Sequence, residues 1–99
     1  MTVRINRRAI RELATGDEFR RHLEDVADEI IDRTAANARD RHYGPSLETE
    51  IRNQGGELVA RVGTDNEFAH LDEWGSENNE PSGAMRRAIE SLGLDVELL

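Results

Sequence analysis

Along DEFRRHLEDVADEIIDRTAANARDR the apolar residues Phe19, Leu23, Val26, Ala27, Ile30, Ile31, Ala35 and Ala38 recur in steps of three and four. That spacing puts them on one stripe of an α-helix. Thr15 followed by Glu18 is a capping-box pattern, so the helix is expected to begin near Asp17. Its other face offers Arg21 with Asp25 and Glu29 with Arg33, spaced to pair along an exposed surface. Arg39, Arg41 and His42 complement the negative end of the helix dipole, and Gly44-Pro45 stops it. The pattern predicts one helix over 17–42, a rod of roughly 38 Å at 1.5 Å per residue. So long a rod leaves part of its surface for a neighbour.

The period then changes from helical to alternating. In LETEIRNQ, Leu47, Thr49 and Ile51 alternate with Glu48, Glu50 and Arg52. After Gly55-Gly56, ELVARVGT resumes with Leu58, Ala60 and Val62 on one face. Two such runs around a Gly-Gly turn predict a β-hairpin over 47–64 whose apolar face lies on the long helix. FAHLDEW fits either a third strand or a helical turn, and GSENNEPSG is a loop by composition. AMRRAIESLGL predicts a short helix over 84–93 that buries Met85, Ala88, Ile89 and Leu92, and DVELL suits an edge strand. INRRAIREL, with Asn6 as a cap, reads as a basic arm or short helix within 1–14. The expected fold is α+β: a long N-terminal amphipathic helix on a small, mostly antiparallel sheet, with a short C-terminal helix beside it.

Composition narrows the function classes. Ninety-nine residues make one domain, and 36% hydrophobic with 4% aromatic content gives a thin core that a partner would help to cover. A net charge of -8 argues against nonspecific duplex binding. The charge is also divided. Residues 1–11 hold Arg4, Arg7, Arg8 and Arg11 and no acid. From Thr64 to Met85 stand Asp65, Glu67, Asp72, Glu73, Glu77 and Glu80 and no arginine. Head-to-tail contact between unlike ends and two solvated faces are both compatible with this division. Every one of the thirteen cations is Arg, which GC-rich coding explains as readily as interface use. There is no Cys, hence neither a disulfide nor a thiolate metal site. No apolar run reaches membrane-spanning length and Met1–Leu13 lacks a signal-peptide centre, so a soluble protein made in the cytoplasm is expected.

Candidate chemistry is sparse. His70, Asp72 and Glu73 stand close together, with His42 a further imidazole. In a strand His70 and Asp72 would share a face; in a helix, His70 and Glu73. Neither supplies the three or four convergent ligands that a zinc site needs. Ser46, Ser76, Ser82 and Ser91 lack a nucleophile-elbow context, and Gly55-Gly56 precedes a strand rather than a phosphate-binding helix start. The reading is of a protein without enzymatic activity, metal or cofactor. A small acidic binding regulator, antitoxin- or inhibitor-like, is the alternative within that class.

Four segments in order bring a resemblance. YGPSLETEI gives a Gly-Leu strand start and ELVARVGT the return of a hairpin. FAHLDEWGS gives an aromatic-Ala…Glu-aromatic-Gly-Ser block over 67–76, and EPSGAMRRAIESL a Pro-containing loop into a final helix. Over residues 6–94 the chain resembles the head-tail joining proteins of long-tailed phages, also called neck or tail-completion proteins. It departs at Asp72, where the family has an apolar residue, and at Ala84 and Arg87, where it has an aromatic and a Pro.

The resemblance implies a structural virion component, a subunit of a hexameric ring at the neck. Its partners would be further copies of itself, the head-completion or connector protein, and the tail terminator or tail tube protein. Genomic double-stranded DNA would pass through the lumen without sequence-specific binding, and no membrane is involved. Interface candidates are Arg4, Arg7, Arg8, Arg11, Phe68, Glu73, Trp74, Gly75, Glu77 and Glu80. Trp74 is expected either as the largest side chain of the core or at a subunit contact. Gly75 would supply a backbone conformation closed to other residues. Glu73 would accept hydrogen bonds from neighbouring backbone or pair with an arginine.

Overall fold

The computed structural model describes residues 1–6, 17–94, 96 and 98. The elements run β1 (Thr2–Ile5), α1 (Asp17–Asn37), α2 (Tyr43–Ser46), β2 (Glu48–Gln54), β3 (Glu57–Gly63), α3 (Glu67–Trp74) and α4 (Ala84–Ser91). The fold is α+β, as the two periodicities require. β3 is the middle strand of a three-stranded antiparallel sheet in the order β1-β3-β2. α1 lies across one face of this sheet and α4 packs alongside α1.

The hairpin follows from its alternation. Thr49 stands opposite Val62 and Ile51 opposite Ala60, so the apolar positions of both strands share the helix-facing side. Gly55 and Gly56 take φ of 61° and 85°, the left-handed values that a two-residue hairpin turn demands. α1 buries Phe19, Leu23, Ala27 and Ile30 against the sheet, and Glu29 pairs with Arg33 at 3.3 Å on its exposed side. An exposed pair of this kind adds only a few tenths of a kcal/mol. The core is therefore an apolar cluster of Val3, Ile5, Leu23, Ile30, Tyr43, Val62, Met85 and their neighbours.

Two expectations are corrected. The chain start is a strand, not an arm or short helix: Thr2–Ile5 pairs with β3, and Val3 and Ile5 are fully buried opposite Val62 and Ala60. Residues 7–14 of the predicted arm, with Arg7, Arg8 and Arg11, and the capping-box Thr15 lie outside the described residues. The long helix ends at Asn37 rather than at 42. There the Asn37 amide donates to the Ala84 carbonyl, and Asp40 folds its carboxylate onto the His42 N–H in place of a helical bond. Arg39, Arg41 and His42 consequently lie beyond the helix, whose last turn has no basic residue. Gly44 and Pro45 belong to α2 instead of stopping α1. Of the two alternatives open for FAHLDEW, the helical one forms, as two turns. Of DVELL, Leu98 bridges to Val3 on the free edge of β1, while Asp95, Glu97 and Leu99 lie outside the described residues.

α2 owes its position to close packing. A Cβ added at Gly44 would stand 2.5 Å from the Ala35 Cβ, so α2 rests directly on α1. This approach sets the Tyr43 ring into the core. Gly44→Ala is expected to destabilise by about 1–3 kcal/mol through overpacking. Adding Ala35→Gly should recover part of that loss even though the glycine alone weakens the helix by about 1 kcal/mol. A double-mutant cycle in urea reads the coupling, and strict additivity would show that the two backbones do not meet as described.

Candidate functional site

The block FAHLDEWGS forms α3 and its exit. Asn66 caps the helix, its Oδ1 accepting the N–H groups of Phe68 at 2.9 Å and Ala69 at 3.3 Å. Gly75 ends it, its N–H donating to the Leu71 carbonyl at 2.7 Å with φ 85° and ψ 175°. That combination is essentially restricted to glycine. A Cβ here would also sit 2.9 Å from the ring and nitrogen of Pro81, so the turn leaves no room for one. The two turns of α3 direct Ala69, Asp72 and Glu73 inward and leave Phe68, Leu71 and Trp74 outside.

Glu73 is wholly buried and yet fully bonded. Its Oε1 accepts from the Tyr43 hydroxyl at 2.6 Å and from the Met85 N–H at 2.7 Å. Its Oε2 accepts from the Arg86 N–H at 3.3 Å and from Arg86 Nε at 2.9 Å. These four bonds use the acceptor positions a carboxylate possesses. Two of the donors are the orphan N–H groups at the start of α4, whose own N-cap is Gly83 with no side chain to offer. Glu73 thus caps a helix from ten residues upstream, and its charge sits at the positive end of the α4 dipole. Arg86 completes the clamp by donating from Nη2 to the Glu73 carbonyl at 2.8 Å.

The burial of Tyr43, followed by its hydrogen bond to Glu73 and the charge of that carboxylate, raises the phenol well above its ordinary value near 10. Glu73 is accordingly occupied by the protein's own groups and free for neither a metal nor proton transfer. Its place in a surface contact, expected from sequence, is corrected to the interior. The same occupancy leaves no His70–Glu73 ligand pair, because the Glu73 oxygens are bonded inside the protein while His70 is exposed. Among the described residues no group of three or more His, Cys, Asp or Glu is placed to hold a metal ion.

Trp74 is not in the core: it is 41% exposed, which removes the first of its two expected roles. The Arg86 guanidinium lies 4.3 Å from its ring centroid, and His70 stands beside it at 6.5 Å between rings. With Phe68 at 65% and Leu71 at 46% it makes an apolar row, and these are the exposed large hydrophobics among the described residues. Scattered exposed apolar residues need no explanation, but three in one row on an eight-residue helix do. Glu67 in the same helix, Glu77 and Glu80 in the loop after it and Asp65 just before it are exposed. Two members of the acidic stretch, Asp72 and Glu73, are withdrawn into the protein. Arg4 is exposed on β1, far along the chain from this row, with Arg61 as its register neighbour.

Sequence reasoning overlooked Tyr43 and Arg86, and it did not place Leu71 among the interface candidates. Leu71 and Trp74 share the helical spacing of Phe68, a signal that existed once FAHLDEW is taken as a helix. Tyr43 and Arg86 carried none, since their meeting at Glu73 spans three separate elements.

Glu73→Ala is expected to cost about 3–5 kcal/mol, because the Arg86, Tyr43 and α4 donors are stranded together. Tyr43→Phe should cost about 1–2 kcal/mol. Tyr43 is the single tyrosine, so ultraviolet titration reads it directly. A raised folded value means its contribution is complete below about pH 10, the unfolded value, and is lost as pH climbs beyond it. Tyrosinate should therefore appear only together with unfolding; ionisation near pH 10 in folded protein would contradict the buried bond. No family model, curated protein or solved structure matches the chain.

Proposed function

We propose that this chain is a structural joining protein of a tailed-phage neck, one subunit of a sixfold ring between the head connector and the tail, and that it performs no catalysis. The observation that carries the reading is the apolar row Phe68, Leu71 and Trp74, standing outside the fold and flanked along the chain by exposed acids. An apolar centre with a polar rim is the composition of a protein contact. The row sits on a helix fastened by Glu73, so it is presented in one conformation before any partner arrives, which lowers the cost of binding. The order of segments from YGPSLETEI to EPSGAMRRAIESL supports the choice of partner class.

In this reading Phe68 and Trp74 enter a neighbouring subunit or the adjacent connector ring. The exposed acids Asp65, Glu67, Glu77 and Glu80 face the lumen, where they repel phosphates and let the genome slide. A map of the assembled ring with these acids on its outer rim would remove the lumen assignment.

Two measurements test the proposal. Trp74→Ala and Phe68→Ser should shift urea unfolding by no more than about 1 kcal/mol, since neither ring is fully buried, while neck assembly falls at least about 30-fold. Unfolding that drops by about 3–5 kcal/mol with assembly intact would return Trp74 to a core role. In lysates lacking the protein, electron microscopy should show filled heads apart from finished tails. Normal virions that lack a regulatory trait would instead favour the small acidic binding regulator.

A further inference from the structure

Asp72 replaces an apolar residue of the resembled pattern and stands one position before the clamp. The residue is 9% exposed. Oδ2 accepts the Asp40 N–H at 2.7 Å, fixing the bend that follows α1. Oδ1 has under 1 Å² of accessible surface and no hydrogen-bond partner. A buried carboxylate oxygen without a donor is unfavourable, so this one is set up for a donor supplied from outside the chain.

Asp72 lines a cavity of about 320 Å³ together with Arg39, Asp40, Phe68, Leu71, Ser76 and Asn79. The charged groups facing it are two carboxylates, Asp40 and Asp72, and one cation. That cation, Arg39, is engaged through Nη1 with the Glu80 carbonyl at 2.6 Å. Phe68 and Leu71, members of the exposed row, form the apolar wall. A planar, weakly hydrated cation meets all these conditions: it can lie along the Phe68 ring and place an N–H on Asp72 as the exposed Phe68 and Arg39 side chains give way. An ammonium group is more strongly hydrated and lacks the flat face.

We infer that this cavity is a guanidinium socket, filled in the assembly by Arg4 of a second copy. The socket stands on Asp72 and its surroundings alone; the choice of a second copy rests on the ring proposed above. Arg4 is exposed, and its cross-strand neighbour on β3 is Arg61, a like charge. Every basic residue of the chain is an arginine, and no acid occurs in residues 1–11. A contact from β1 of one copy to α3 of the next joins different surfaces, which is the geometry that builds rings.

The test uses the full chain and N-acetyl-arginine methylamide as probe, followed by the amide resonances of Asp40, Phe68 and Asn79. Saturable shifts are expected, with the lysine counterpart binding at least about tenfold more weakly. Asp72→Asn keeps an oxygen for the Asp40 N–H but turns a donor toward the cavity, so it should fold normally and lose the probe. No saturable shift, or equal binding by Asp72→Asn, would overturn the socket. Sedimentation then tests its occupant: Arg4→Glu and Asp72→Asn should each weaken self-association about tenfold, and the double variant should be no weaker than either. Probe binding with self-association indifferent to Arg4→Glu would overturn the second copy as occupant while the socket stands. A chain that binds the probe and never self-associates would remove the ring along with that occupant.

Discussion

One buried carboxylate holds the three short helices of this protein together. Glu73 ties α2 through the Tyr43 hydroxyl, α4 through two backbone N–H groups, and Arg86 through its guanidinium, while itself belonging to α3. A charge so placed would be strongly unfavourable alone. Here every lone pair has a donor, one donor is cationic, and the positive end of α4 faces the carboxylate. The consequence is geometric: three short helices, none of which would persist as an isolated peptide, are fixed with respect to one another.

The arrangement explains why an apolar row can remain outside. α3 contributes little apolar area to the core, essentially Ala69, and depends on Glu73 and the Asn66 cap instead. Its hydrophobic side chains are therefore released for the outer face. The Arg86 guanidinium serves both sides, bonded to Glu73 inside and laid over the Trp74 ring outside. A contact made at Trp74 is thus coupled directly to the group that orders α3 and α4. For the joining role proposed, this means that the partner meets a preformed surface and not a segment that must be ordered on arrival.

Asp72 and Glu73 are adjacent carboxylates with opposite circumstances. Glu73 is saturated by the fold, whereas Asp72 spends one oxygen on the bend after α1 and keeps the other unpaired beneath the exposed row. The difference comes from the helix: consecutive positions turn by about 100°, so one carboxylate meets the α4 N-terminus and the other the bend. The acidic stretch visible in the sequence is in this way divided between structure and surface.

Much of the framework was legible in the chain itself. The steps of three and four over Phe19–Ile30 made α1, the alternation around Gly55-Gly56 made the hairpin and its facing, and Met85, Ala88 and Ile89 made the buried side of α4. The glycine after Trp74 was recognisable because its conformation excludes a side chain. Hydrophobic periodicity and turn chemistry are local, and local order suffices to read them. The four residues of β1 were too few to show alternation, and their pairing with β3 joins positions almost sixty residues apart. The end of α1 was set by Asp72, Ala84 and Asp40, which no window along the chain contains together. Whether Trp74 is inside or outside, and whether Glu73 is a surface acid or a buried clamp, depended on how α2, α3 and α4 converge. Composition and spacing decide which elements form; only packing in three dimensions decides which of their faces are left for other molecules.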